Sequence, residues 1–166
     1  MSSSSSRQSL EVVVRELTAA DLGEVSRLAE AAVSTPDDNT YPIVTLDKEL
    51  RGVAENAPAA NRKAFGAFMG DRLVATGCAA PLGDGIGWIS RVYVDNTLRR
   101  GGIAGRLVAF LETYLKEHGC LSATLDFWGP RHTTQHFWLK TGYARTGTRA
   151  HPKFQGAFVV ACRKAL

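Results

Sequence analysis

A chain of 166 residues with 45% hydrophobic and 22% charged content holds enough apolar side chain for one buried core and too little length for two full domains. Twenty Lys and Arg against sixteen Asp and Glu leave a formal charge of +4, a mild excess that suits small anionic partners and falls short of the cationic footprint of a nucleic-acid binder. Apolar runs such as Leu107-Val108-Ala109-Phe110-Leu111 fall well below the ~20 residues of a membrane-spanning helix, so neither nucleic acid nor a membrane is an expected partner.

In chain order, residues 1–9 are Ser-rich and are expected to form a flexible tail, because they offer little to bury against their ordering entropy. The remainder, 10–166, is expected to form a single domain. The start lacks an apolar segment behind Arg7, and Val12-Val13-Val14 is too short for one, so no secretory signal is expected. Leu10 to Leu17 predicts a strand. Thr18-Ala19-Ala20-Asp21 then predicts a helix start, with Leu22, Val25, Leu28, Ala29 and Ala32 on one face. Pro36-Asp37-Asp38-Asn39 breaks that helix, and Leu46 to Asn56 predicts a second, less hydrophobic one. Lys63 to Met69 and Leu73 to Ala80 predict a hairpin closed at Gly70-Asp71, which the turn at Leu82-Gly83-Asp84-Gly85 extends to Gly87–Val94.

The strongest helix follows a glycine loop at 101–105 and presents Ile103, Leu107, Phe110, Leu111, Tyr114 and Leu115 on one face before Gly119 ends it. Ser122 to Phe127 predicts a strand, His132 to Lys140 a helix, and Tyr143 to Arg149 with Phe154 to Cys162 a last pair of strands. The helix between the strands near 90 and 125 requires one parallel step in a mixed α and β architecture. Cys78, Cys120 and Cys162 are odd in number, far apart and set among apolar or small residues. They read as buried thiols in a reducing, cytoplasmic compartment, and not as a disulfide framework. His132 and His136 lack the intervening Glu of a zinc hydrolase, so no metal is expected.

The informative stretch runs Arg91-Val92-Tyr93-Val94-Asp95-Asn96-Thr97-Leu98-Arg99-Arg100-Gly101-Gly102-Ile103-Ala104-Gly105-Arg106. A strand end, two arginines and paired glycines open a long helix whose first amides have no intrahelical acceptor, which favours an anion there. No Gly-Lys-Ser/Thr follows, so the loop is not that of a nucleoside-triphosphate binder, and a diphosphate of another cofactor is the expected ligand.

These residues resemble the GCN5-related N-acetyltransferase (GNAT) family. Its signature, Gln/Arg-x-x-Gly-x-Gly/Ala, is matched by Arg99-Arg100-Gly101-Gly102-Ile103-Ala104 behind the strand end Val92-Tyr93-Val94. Its aromatic and Gly-Tyr segment is matched by Phe137-Trp138-Leu139-Lys140-Thr141-Gly142-Tyr143. The resemblance implies an α/β (α+β) GNAT-like fold of about six to seven strands, splayed at a cofactor slot, with about four helices. It further implies that acetyl-coenzyme A is the co-substrate. Its diphosphate would lie on Arg99, Arg100, Gly101, Gly102, Ile103, Ala104 and Gly105, with Arg106 facing the polyanion. Its arm would lie along Val92, Tyr93 and Val94.

The implied reaction is direct attack of an amine, expected on a small molecule, in a ternary complex. An amine of pKa about 10 must lose a proton, an oxyanion needs donors, and a thiolate of pKa about 8.5 must leave. The backbone N–H of Val94 resembles the family's oxyanion donor. No carboxylate stands on Trp88-Ile89-Ser90-Arg91-Val92 where some members carry Glu, so Asp126 and His132 are the candidate bases, directly or through water. Trp138 stands where many members have a Tyr acid, and an indole N–H cannot supply that proton. Tyr143 or water is the expected substitute. Two alternatives stay open: a coenzyme A-binding domain with weak or no catalysis, and an acetyltransferase of protein or peptide amines. A homodimer also stays open.

Overall fold

Alternating β-branched, aromatic and small residues in the first half of the chain build an antiparallel meander. It comprises β1 (Val12–Glu16), β2 (Lys63–Met69), β3 (Arg72–Gly83) and β4 (Ile86–Val94). Asp84 and Gly85, with φ of 54° and 74°, make the two-residue turn before β4, a pairing that fits the right-handed twist of a hairpin. The computed structural model describes residues 11–33, 62–98, 102–128, 132–150, 155–156 and 158–166, with backbone only at 29–33, 96, 128 and 132–134. The expected tail and the expected helix over 46–56 lie outside the described residues.

The rest of the architecture is α1 (Leu22–Val33), α2 (Ile103–Glu117), β5 (Ser122–Trp128), α3 (His132–Lys140), β6 (Ala144–Ala150) and β7 (Phe158–Ala165). The seven strands form one mixed sheet in the order β1-β2-β3-β4-β5-β7-β6. Its single parallel step, β4 to β5, is crossed by α2.

The last strand corrects the expectation of Phe154 to Cys162. Gln155 and Gly156 form a turn, Phe154 lies outside the described residues, and the strand runs on through Lys164 to Ala165. Pairing decides this: every residue of β5 from Ser122 to Trp128 has a partner on β7, and that ladder draws the charged Arg163 and Lys164 into the sheet.

Two apolar clusters cover the two faces. On one face Leu17, Val25, Leu28, Phe68, Leu73 and Cys78 pack beneath α1. On the other, Leu107, Val108, Leu111 and Leu115 of α2 pack with Ile89, Leu125, Val160, Trp138 and Tyr143. Phe110, expected in the buried face of α2, is 37% exposed and Val108 is buried in its stead. Phe110 and Tyr114 instead flank the ring of Phe65, at centroid distances of 5.1 and 5.2 Å. Close seating of α2 depends on missing side chains: a Cβ on Gly77 would come 2.7 Å from Leu111, and one on Gly87 2.6 Å from Leu115. Cys78, Cys120 and Cys162 are buried and form no disulfide, and burial pushes the Cys120 and Cys162 thiols up. Among the described residues no helix is long and apolar enough to cross a membrane.

Candidate active site

The opening lies inside the sheet. β4 and β5 pair only through Ile86↔Ser122, Gly87↔Ala123 and Trp88↔Thr124. Beyond that seam β4 continues from Ile89 to Val94 with partners on β3, and β5 continues from Leu125 to Trp128 with partners on β7. A V-shaped slot therefore separates the two arms. A bulge shapes the β4 arm: Thr76↔Tyr93 and Cys78↔Ser90 leave Arg91 and Val92 facing the single residue Gly77. Arg91 there has φ of 53°, and the Thr76 hydroxyl donates to its carbonyl at 3.2 Å.

The bulge sets the direction of the backbone that follows. The Asp95 amide donates to the Val74 carbonyl at 2.9 Å, on the β3 side. Successive N–H groups of a strand alternate between its edges, so the Val94 and Val92 amides face the slot and that of Tyr93 faces β3. Side chains alternate as well: Val92 and Val94 pack toward α2, and Tyr93 toward α1.

At the mouth of the slot α2 begins at Gly102, whose φ of 76° and ψ of 4° place it in the left-handed region where glycine is at ease. The first intrahelical bond runs from the Arg106 amide to the Gly102 carbonyl at 3.1 Å. The amides of Ile103, Ala104 and Gly105 are thus left over. Among the described residues no side chain caps this end and no acid stands in its first turn, so the positive end of the helix dipole meets no negative charge there. Ile103 anchors the turn by burying its side chain, whereas the space around a Cβ on Gly105 is open. Arg99, Arg100 and Gly101 lie outside the described residues. Arg106 donates to the Val12 carbonyl of β1 at 3.4 Å.

The other wall carries the remaining candidates. Asp126 lies on β5 two residues past the seam and is ion-paired with Arg149 of β6. His132 starts α3, with its side chain outside the description. Trp138 is 5% exposed, edge-on to Phe137 at 4.9 Å and to Tyr143 at 5.2 Å. Tyr143 is buried and its hydroxyl donates to Glu112 Oε2 at 3.2 Å. Burial, with the Glu112 charge beside it, pushes the Tyr143 phenol far up. Glu112 also pairs with Lys164 at 2.9 Å, and Lys164 lies opposite Ala123 at the seam. The Tyr143 hydroxyl is therefore engaged by Glu112, whose other partner, Lys164, stands on the strand opposite the seam.

Sequence reasoning missed Asp95, which directly follows β4 and is fully buried. Its Oδ1 accepts from the Thr97 hydroxyl at 2.8 Å and amide at 3.0 Å, and its Oδ2 from Arg72 at 2.8 Å. The Asp95-x-Thr97 spacing of a side-chain-capped turn was the available signal. Burial by itself would raise the Asp95 carboxyl, but the Thr97 and Arg72 bonds outweigh it and leave the pKa below its ordinary value. Bonds from Arg15 hold Asp21 low, and bonds from Arg27 hold Glu24 low. Depressed carboxyls stabilise the fold above the pKa of the unfolded chain, near 4, and that contribution is lost as pH falls through the folded values. Urea unfolding is accordingly expected to show a flat free energy from about pH 7 to 5 and a steep decline below about pH 4, shallower in Asp21→Asn. A stability unchanged at about pH 3 would contradict these bonds.

Comparison with known proteins bears directly on this geometry. Residues 27–143 match the family model described as the acetyltransferase (GNAT) family. No curated protein gives a significant match. Among solved structures, the fold resembles the PaiA N-acetyltransferase of Thermoplasma acidophilum in complex with coenzyme A. That match has a TM-score of 0.70 at 15% identity, over 94% of this chain and 99% of that one. It also resembles an aminoglycoside 6'-N-acetyltransferase complexed with coenzyme A, at 0.70, 18%, 92% and 96%. The Escherichia coli ribosomal-protein-S18-alanine N-acetyltransferase is similar at 0.71, 12%, 93% and 94%. With the matched segment running from α1 through the glycine loop and α2 to the Gly-Tyr segment, the chain belongs to the GNAT acetyltransferase family.

Proposed function

We propose that the protein transfers an acetyl group from acetyl-coenzyme A to a primary amine of a small molecule, by direct attack in a ternary complex. One observation carries this reading: the seam between β4 and β5 ends at Trp88, leaving the Val92 and Val94 backbone facing a slot that leads to the uncapped, acid-free start of α2. These features fit the co-substrate, since the amides of Ile103, Ala104 and Gly105 suit a diphosphate and a strand edge suits an amide-bearing arm. Two of the structural neighbours, solved in complex with coenzyme A, support the same fit.

In this reading Arg99, Arg100, Gly101 and Gly102 complete the diphosphate site with that first turn, and Val92 and Val94 pair with the arm. Acetyl-coenzyme A, when bound, supplies an acetyl thioester with a tolerable thiolate leaving group. The Val94 N–H donates to the developing negative charge on the acetyl oxygen. Asp126, held by Arg149, or His132 takes the amine proton, directly or through water. Trp138 lines the far wall without supplying a proton. Tyr143, protonated and bonded to Glu112, braces Trp138 from beneath.

A thiol-release assay with amines, amino acids and peptides tests this function. Amine-dependent release of coenzyme A is expected, with kcat/KM rising with pH and the limb displaced in either Asp126→Asn or His132→Ala. The Trp138 substitution favours a second reading, a coenzyme A-binding domain without catalysis. That reading would replace the first if acetyl-coenzyme A raises Tm but no amine is acetylated between about pH 6 and 9. No rise in Tm at ligand far above ~100 μM would overturn both.

A further inference from the structure

Asp95 uses every polar group it has at one point of the chain. Its amide donates to Val74 and its carbonyl accepts from Leu98 at 3.0 Å. One carboxylate oxygen takes both the Thr97 amide and hydroxyl, and the other takes Arg72, with Arg27 at 3.6 Å. The residue before it carries the slot-facing Val94 amide, and the turn after it, 96–98, leads into the glycine loop. The charges reach beyond the strand. Arg27 on α1 is bonded to Glu24, and Glu24 accepts the Leu73 amide of β3 at 3.0 Å. One fully buried carboxylate therefore fixes the exit of β4 against β3 and α1, on the face opposite α2.

We propose that Asp95 is the positioning residue of the co-substrate site, holding the Val94 donor and the entry to the diphosphate loop in fixed relation to each other. A buried carboxylate is costly to desolvate, and a turn requires only a neutral acceptor. The charge gains its purpose from Arg72 and Arg27, which tie the turn to the sheet and to α1. Rotation at residue 95 would swing the Val94 amide and the turn at 96–98 together. The inference rests on the acetyltransferase reading, and its test separates the two.

The test compares Asp95→Asn with Asp21→Asn, which disturbs another Arg-paired, buried carboxylate remote from the slot. Both are expected to lower Tm. At a temperature where each is folded, only Asp95→Asn is expected to raise the Kd for coenzyme A and the KM for acetyl-coenzyme A, by about tenfold or more. Thr97→Val, which keeps the charge and removes one bond, is expected to show a smaller shift of the same kind, about threefold, and serves if Asp95→Asn does not fold. Unchanged Kd and KM in the folded variants, with Tm alone reduced, would overturn the proposal and leave Asp95 a purely structural residue. A wild-type protein that binds no coenzyme A overturns the acetyltransferase reading and this one with it.

Discussion

Gly102→Val is expected to lower kcat/KM for acetyl-coenzyme A by about a hundredfold, about 2.7 kcal/mol, in a chain that still folds. A Cβ at this position meets nothing within 4 Å, so the fold has room for the side chain. The obstacle is the backbone. Gly102 sits at φ 76°, and a β-branched residue held there costs about 1–3 kcal/mol. Relief comes from turning the dihedral, which re-aims the amides of Ile103 and Ala104 away from their common focus. Gly105→Ala is the matched control. Gly105 has no positive φ and open space at Cβ, so alanine is expected to raise stability by up to about 1 kcal/mol through helix propensity, which shows that a side chain in this turn does not by itself unfold the chain. Steady-state kinetics with urea unfolding checks both, and a valine variant within threefold of wild type would refute the assignment of this loop.

Trp138→Ala is expected to destabilise the protein by about 3–5 kcal/mol, enough to threaten the native state of a domain this size. The indole is buried, lies edge-on to Phe137 and Tyr143, and its residue accepts from the Tyr143 amide at 3.0 Å and the Thr141 hydroxyl at 2.9 Å. Only the ring contacts are lost in alanine, and the cavity would open directly over Tyr143. Trp138→Tyr keeps most of the ring contact and adds a phenolic proton. Its turnover is expected to equal or exceed wild type. A folded Tyr variant with a tenfold lower kcat, about 1.4 kcal/mol, would show that the indole itself has a role in the reaction.

Much of the fold was legible because its signals are local. Gly70-Asp71 and Asp84-Gly85 announce hairpins through their own backbone preferences, and the spacing of Leu107, Leu111 and Leu115 announces α2. The glycine loop was legible for the same reason, since a left-handed N-cap requires the residue found at 102. Placement of β7 between β5 and β6 was not, because strand order depends on contacts between residues far apart in the chain. The bulge at Arg91 was hidden as well: an arginine in a left-handed conformation contradicts its own preference and is held by Thr76, fifteen positions away. The burial of Asp95 was hidden too, because it depends on Arg72 and Arg27, which arrive from another strand and a helix. The direction of the Tyr143 hydroxyl was hidden as well, because it waits on Glu112 and Lys164, from a helix and a strand elsewhere in the chain.

The short seam also has a mechanical meaning. Three residue pairs at Ile86–Trp88 are the whole hinge line between a four-stranded plate and a three-stranded one. The root is pinned by the Leu121 and Ser122 amides, which donate to the Gly85 carbonyl at 2.6 and 3.1 Å. α2 starts at the free end of one plate and, through Gly119, returns to the pinned root of the other, so it works as a strut across the joint. The angle between the plates therefore rests on one three-pair ladder and on the helix that spans it.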